Sequence, residues 1–246
     1  MTELARIPAM DAEETRLRAE LAAAFRWTAR LDMHEGIANH FSVAADDGRF
    51  LMNPAGRHFS RMCASDLLSL SPDSDSPSDG VDPTAWCLHA YLHRHVPHAR
   101  CIMHLHPTYS TAMASLAKWS LLPIDQNACR FFNRVAYDEE FGGMLLAEEE
   151  SARQAKALGD KKVLVMRGHG VMTAAATVGE AFDLMYYFER ACRNQYFAMS
   201  SGAPLFIVDD DTAEKTARQW EDYPGQQRHF DELCAILDTE EPAYRD

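Results

Sequence analysis

Residues 11–32 place Leu17, Leu21, Ala24, Phe25 and Trp27 on an approximate helical stripe between charged positions, which predicts an amphipathic helix. The pattern then shortens. Two β-type runs fall within 36–56, on either side of Asp46-Asp47-Gly48, a hairpin turn signal. Residues 72–82, rich in Pro, Asp, Ser and Gly, read as a loop. Residues 84–95 read as a helix that stops before Pro97 and leads into an apolar strand near Cys101. Residues 148–158 suit a helix ended by Gly159, and 163–170 begin as a second apolar strand. Residues 178–201 form a long helix, with Thr177 as its cap and Glu180 three residues on. Strands interleaved with helices at this spacing predict an α/β class.

The chemistry in this frame is carried by histidines. In Met103-His104-Leu105-His106-Pro107-Thr108, side chains alternate faces, so His104 and His106 point the same way. Their Cα atoms should lie roughly 6.6 Å apart, twice the strand rise, close enough for both rings to reach one metal at about 2.1 Å. Val163 to Gly170 supplies a third histidine, His169, flanked by glycines that let the backbone turn. Three imidazoles on a buried scaffold would leave a coordination position for water or substrate. Each piece alone also suits a structural or surface histidine, so on the residues alone both readings stand. His89 and His93, four apart on one helix face, allow a metal pair, although hydrogen-bonded helix histidines are commoner. His34, His58, His95, His98 and His229 read as polar and mostly exposed.

Composition narrows the class. A chain of 246 residues with 47% apolar residues can bury a sizeable core. The motifs run the length of the chain without a Gly/Ser linker, which predicts one domain over 1–246. A formal charge of −13 argues against nucleic acid or an anionic membrane as partner. Neither a signal peptide nor an apolar run of spanning length is visible, so the expected setting is soluble and cytoplasmic. The six cysteines lack short pair spacings and suit buried thiols in a reducing compartment.

Several segments resemble the class II aldolase/adducin family, in order and at its spacing, over roughly residues 15 to 205. Glu35-Gly36-Ile37-Ala38-Asn39-His40-Phe41-Ser42-Val43 is similar to the Gly-Ile-Thr-Asn-His-Ile-Ser-Leu segment of the adducin-like branch. Phe50-Leu51-Met52-Asn53-Pro54-Ala55-Gly56-Arg57-His58-Phe59-Ser60 is similar to that branch's Phe-Leu-Ile-Asn-Pro-x-Gly-x-His-Phe-Ser. Ser65-Asp66-Leu67-Leu68, Leu88-His89 and Val178-Gly179-Glu180-Ala181-Phe182 also fall into place. The resemblance implies a three-layer α/β/α fold with a central, largely antiparallel sheet, and a C-terminal extension over 206–246. It implies one divalent metal on His104, His106 and His169, with zinc first and manganese or iron as alternatives. It also implies a homotetramer with sites at subunit boundaries, the segment Gln126–Tyr137 being the expected partner contact.

The departures from the family bear on the reaction. Sugar-phosphate aldolases of this class carry Ser-Ser-Glu before the His-x-His strand, and the glutamate shuttles the proton. Here the residues are Pro83-Thr84-Ala85-Trp86, so the carboxylate is replaced by Ala85. The phosphate cradle has also lost most of its hydroxyl and small-residue donors, with Asn39-His40, Ala55-Gly56 and Pro83-Thr84 in its place. Basic residues stand instead, among them His40, Arg57, His58, Arg61, Arg130 and Arg134. Asn39, Gly56 and Arg57 are the expected substrate contacts, Arg57 because a guanidinium can hold a carboxylate through two parallel hydrogen bonds. Its bland alternative is a weak surface ion pair. His40 and Tyr109 are the expected proton carriers. Three functions fit: a metal-dependent lyase (aldol cleavage or decarboxylation) acting on a non-phosphorylated hydroxy or oxo acid, a metal-dependent dehydratase or epimerase, and an adducin-head-like binding or assembly module.

Overall fold

The computed structural model describes residues 12–144 and 146–246, so residue 11 of the expected first helix and residues 1–11 of the expected domain lie outside it. The first helix, α1, spans Ala12–Arg30 and buries Leu17, Leu21, Phe25 and Thr28 on one stripe. The hairpin follows as β1, His40–Ala44, and β2, Phe50–Met52, with Gly48 at φ 86° in the turn. That left-handed backbone is open to glycine without the steric penalty other residues meet. A short strand β3, Leu68–Leu70, extends the sheet. Helix α2, Pro83–His95, begins where Asp82 accepts hydrogen bonds from the backbone N–H groups of Thr84 and Ala85.

Strand β4, Cys101–Leu105, carries the first two histidines of the expected site to its C-terminal end, with His106 one residue beyond. Short helices α3, Thr108–Ala114, and α4, Gln126–Cys129, precede β5, Val135–Asp138. Helix α5, Glu148–Leu158, then leads to β6, Val163–Met166, and β7, Gly170–Ala175. The expected strand over 163–170 is therefore a hairpin, and His169 sits in its turn. Helix α6, Val178–Ser200, starts with the Thr177 hydroxyl accepting from the Glu180 N–H at 3.1 Å. The C-terminal segment forms α7, Asp210–Glu221, and α8, Gly225–Glu240, which the polar pattern of that segment did not announce.

The seven strands form one sheet in the order β3-β2-β1-β4-β7-β6-β5. Every pairing is antiparallel except β5 with β6. The expected central, largely antiparallel sheet covered by helices is what the chain builds. Alternation along the strands sorts the two faces. Phe41, Val43, Cys101, Met103 and Leu105 join an apolar cluster with α1 and α6, including Phe25 stacked on Phe41 at 4.5 Å. Full burial of such a phenylalanine stabilises the fold by about 1.5–3 kcal/mol. Ile102, Met172 and Leu164 point to the other face, with Leu88 and Leu92 of α2 and Leu158 at the end of α5.

That parity decides where the site lies. His104 alternates with Met103 and Leu105, and His40 alternates with Phe41, so both rings belong to the α2 side of the sheet. β1 and β4 pair with His40 opposite His104. None of the helices, among the described residues, is long and apolar enough to cross a membrane.

Candidate metal centre

His104, His106 and His169 converge. One ring nitrogen from each lies within 4.8 Å of the others. The three ring centroids form a near-equilateral triangle with sides of 4.9, 4.7 and 4.8 Å. The Nε2 atoms of His104 and His106 are 3.0 Å apart. Ligands at about 2.0–2.1 Å around a tetrahedral ion would stand roughly 3.3 Å apart, so the pair needs little adjustment.

The local backbone explains the convergence. His106 follows the last residue of β4, and Glu189 of α6 pins the next helix by accepting from the N–H groups of Tyr109 and Ser110 at 2.8 Å each. Gly168 takes φ 63° in the turn ahead of His169. Gly170 is required by packing: a Cβ there would stand 2.5 Å from His106 Cδ2 and from the Leu105 carbonyl oxygen. The glycines flanking His169 thus have separate jobs, a left-handed turn on one side and room for His106 on the other.

Protonation fits a cation. The Val171 carbonyl accepts from His104 Nδ1 at 3.2 Å, which fixes the tautomer and leaves the Nε2 lone pair facing the other two rings. Burial holds the His104 ring well below its ordinary pKa, helped by the neighbouring histidines. Burial also lowers His106, and it brings His169 down to about 4, with His106 assisting. All three rings are neutral lone-pair donors at pH 7, which is the state a divalent ion requires. No carboxylate belongs to the triad.

His40 stands beside this triad, its ring 4.9 Å from that of His104 and pushed down to about 3 by burial. Its Nδ1 is 2.7 Å from Nε2 of His89, which is fully buried on α2. His89 Nδ1 lies 2.5 Å from the Ser42 hydroxyl, which lies 2.7 Å from His93 Nε2. His89 and His93 thus take the hydrogen-bonded role. Neither belongs to the metal triad.

The remaining expected site residues divide. Asn39 is buried, with its Oδ1 accepting from the Glu35 N–H at 2.6 Å while its Nδ2 has no partner among the described residues. Gly56 occupies an open left-handed turn at φ 75°. Arg57 pairs with Asp66 at 2.8 Å and donates to the Arg61 carbonyl, so only part of its guanidinium faces outward unengaged. Tyr109 turns toward α6, its ring packing on Tyr196 and Phe197 under the Arg193 guanidinium. It lines a cavity of about 380 Å³ with Asp32, Glu189 and Arg190. Ala85 is buried in an apolar cluster with Phe50, Met52 and Trp86.

Two groups with a bearing on the site were missed in the sequence. Asp82, three residues before Ala85, is near enough for its charge to act on His40. Burial raises the Asp82 carboxyl, but hydrogen bonds from Thr84 and Ala85 and the nearness of His40 bring it below the ordinary range. The Asp-Pro pair at a helix start signalled a cap, and only the fold shows that the cap faces a histidine. Ser42 carried no signal beyond strand parity with His40.

Arg130 and Arg134 differ from the expectation of a substrate- or partner-facing segment. Arg130 is buried in an ion pair with Asp183 at 2.7 Å, and the other Asp183 oxygen is 2.7 Å from His229 Nδ1. Phe131, Tyr187 and Trp220 surround the guanidinium at 4.9–5.6 Å. Arg134 is held by Glu214 and Glu221 of α7. His229 is accordingly half-buried and bonded, and His34 lies 3.0 Å from His58. These histidines are not the free surface groups their sequence context implied.

The comparisons with known proteins agree with the fold. The crystal structure of an aldolase II superfamily protein from Pseudomonas syringae superposes with a TM-score of 0.88 at 30% identity, covering 96% of this chain and 98% of that one. The decarboxylase NovR from Streptomyces niveus is 31% identical over 209 residues, 82% of this chain and 77% of its own. Human beta-adducin is 36% identical over 165 residues, 65% of this chain and 22% of its own. Residues 19–196 match the model of the Class II Aldolase and Adducin N-terminal domain. The chain belongs to the class II aldolase/adducin family.

Proposed function

We propose that this chain is a metal-dependent carbon–carbon lyase acting on a non-phosphorylated hydroxy or oxo acid. The observation that carries the reading is the set of three neutral, converging imidazoles beside His40, with Ala85 buried among apolar side chains. His104, His106 and His169 would hold the ion, zinc being the best match to three nitrogen donors with an open position. When bound, it supplies a Lewis acid that stabilises the oxygens of an enolate-like anion.

The chain's own residues supply the rest. Asn39 offers a buried amide N–H without a partner among the described residues, suited to a substrate oxygen. Arg57, on the turn after Gly56, is the group proposed to meet the substrate carboxylate with its unengaged edge. His40 is the proposed proton carrier, and its Nδ1 contact to His89 leaves Nε2 for that task. Tyr109, packed on α6, is the weaker of the two proposed carriers. Decarboxylation asks least of a protein base at the bond-breaking step, because carbon dioxide leaves without proton abstraction. The name of NovR as a decarboxylase supports the same choice. The proposed assembly is a homotetramer, and the proposed location is the cytoplasm.

Elemental analysis of the purified protein, followed by a panel of hydroxy and oxo acids scored for released carbon dioxide and aldehyde, tests the reading. Turnover of an acid with bound metal is the expected result. Efficient cleavage of ketose 1-phosphates would overturn the substrate class, because loss of general acid–base help is worth about 10² to 10⁴ in rate. Full metal loading without turnover of any acid would favour the adducin-like binding module.

A further inference from the structure

We propose that His40, His89, Ser42 and His93 form a charge-neutral proton wire joining the metal-facing side of His40 to the half-buried end at His93. Three contacts of 2.7, 2.5 and 2.7 Å link the four groups without a gap. The strand and helix periods generate the alignment. His40 and Ser42 share one face of β1, and His89 and His93 share one face of α2.

A neutral imidazole has one N–H and one lone pair, and a hydroxyl has one proton to give. With the Ser42 proton engaged inside the chain, the contacts can be filled in two ways, with every proton pointing toward His40 or every proton pointing toward His93. In the first, His93 Nε2–H donates to Ser42, Ser42 to His89 Nδ1, and His89 Nε2–H to His40 Nδ1, which leaves a proton on His40 Nε2. When that proton leaves to a substrate carbanion, each N–H or O–H bond breaks as the next forms. Water then returns one proton to His93 Nδ1. One proton enters, one leaves, and all three rings finish neutral in the opposite tautomer. The reverse shift, in which His40 Nε2 takes a proton from water in the site and His93 Nδ1 releases one to solvent, restores the starting pattern.

Burial favours this route over one through charged rings. Desolvation brings His93 to about 3 and keeps His89 well below its ordinary range, so an imidazolium inside the chain is disfavoured. His89 and Ser42 are fully buried, whereas His93 is only partly so and lies within the field of the exposed Arg100. The wire thus has a dry middle and one end toward solvent. It depends on the lyase reading for its use, not for its existence. Ser42, His89 and His93 are positioning residues that act through His40.

Ring nitrogen NMR of the full-length protein, labelled with ¹⁵N-histidine and without substrate, tests this. The expected spectrum at neutral pH shows His40, His89 and His93 unprotonated, with Nδ1 and Nε2 shifts averaged between the two tautomers. Ser42→Ala should freeze His93 and the His40–His89 pair into single tautomers, and Ser42→Thr, which keeps the hydroxyl, should restore averaging. His93→Phe provides a second cut should the strand variant fail to fold, and it should freeze the tautomers of His40 and His89. Single fixed tautomers in the wild type, or averaging that survives both Ser42→Ala and His93→Phe, would overturn the wire. Averaging that obeys the variants in a protein that turns over no acid would keep the wire and reject the lyase.

Discussion

The buried polar clusters around Arg130 and around the histidine triad differ in what remains unanswered. Around Arg130, one positive charge meets Asp183, Asp183 meets His229, and aromatic rings enclose the guanidinium. At His104, His106 and His169, three neutral rings aim lone pairs at one another, with no opposite charge among them. The first cluster pairs opposite charges within the chain, although Arg130 Nη1 finds no hydrogen-bond partner among the described residues, and it holds α6 to the C-terminal helices. The second would be completed by the cation proposed for it. Burial and polarity are common to both, so neither property identifies a site; the direction of the donors and acceptors does.

The comparison breaks most sharply on metal content. His104→Ala and His169→Ala should each drop the bound metal from about one per chain to far below it, while Asp183→Asn should leave it unchanged. Unaltered stoichiometry in both histidine variants would remove the distinction. The next largest effect is on stability. Asp183→Ala strands the Arg130 charge in the interior, a loss of about 3–5 kcal/mol. At about 2–4 °C per kcal/mol for a chain of this size, melting should fall by roughly 10 °C. A melting temperature within 2 °C of wild type, roughly half a kcal/mol by the same conversion, would show that the cluster is not structural.

Acid should separate the clusters next. The metal-free triad and His40 have depressed pKa values in the fold, so their neutral state carries no penalty above about pH 6.5, the unfolded value. Below it the unfolded chain takes up protons that the fold refuses, and each ring removes about 1.4 kcal/mol per pH unit until its folded value is reached. For His169 that value is about 4 and for His40 about 3. Calorimetry should therefore show stability falling from pH 6.5 toward 4, at least as steeply with metal bound, because a ligated ring refuses the proton as well. A flat profile in the metal-free protein would contradict the burial of these rings. The smallest effect belongs to Arg134→Ala, whose partly exposed pairs with Glu214 and Glu221 should be worth under about 1 kcal/mol in denaturant titration.

The triad was legible because strand alternation is strict and ties His104 to His106, while the turn glycines mark His169. The helices with clear caps or breakers were legible as well, α2 before Pro97 and α5 before Gly159. Elements without such contrast were not. β7 is made largely of small residues after a glycine, β3 has three residues, and α7 carries few apolar positions on a polar background. Contacts far apart in sequence were closed to inspection for another reason. Ser42 to His93 and Asp82 to His40 depend on how β1 docks against α2, which no local period encodes. Arg57 illustrates the same gap, since its pairing with Asp66 follows from two short 3-10 helices, Phe59–Arg61 and Ala64–Asp66, that bring the chain back.

The start of α2 has an evolutionary consequence. The triad histidines come from the centre of the sheet, whereas Asp82 and Ala85 occupy a single helical turn at its margin. A lineage can rewrite that turn, moving or deleting a carboxylate, and inherit the triad histidines intact. New reactions within such a lineage would arise by editing the proton supply first and the ion last. Divergence in the Asp82–Trp86 stretch should therefore track changes of chemistry more closely than divergence anywhere in β4.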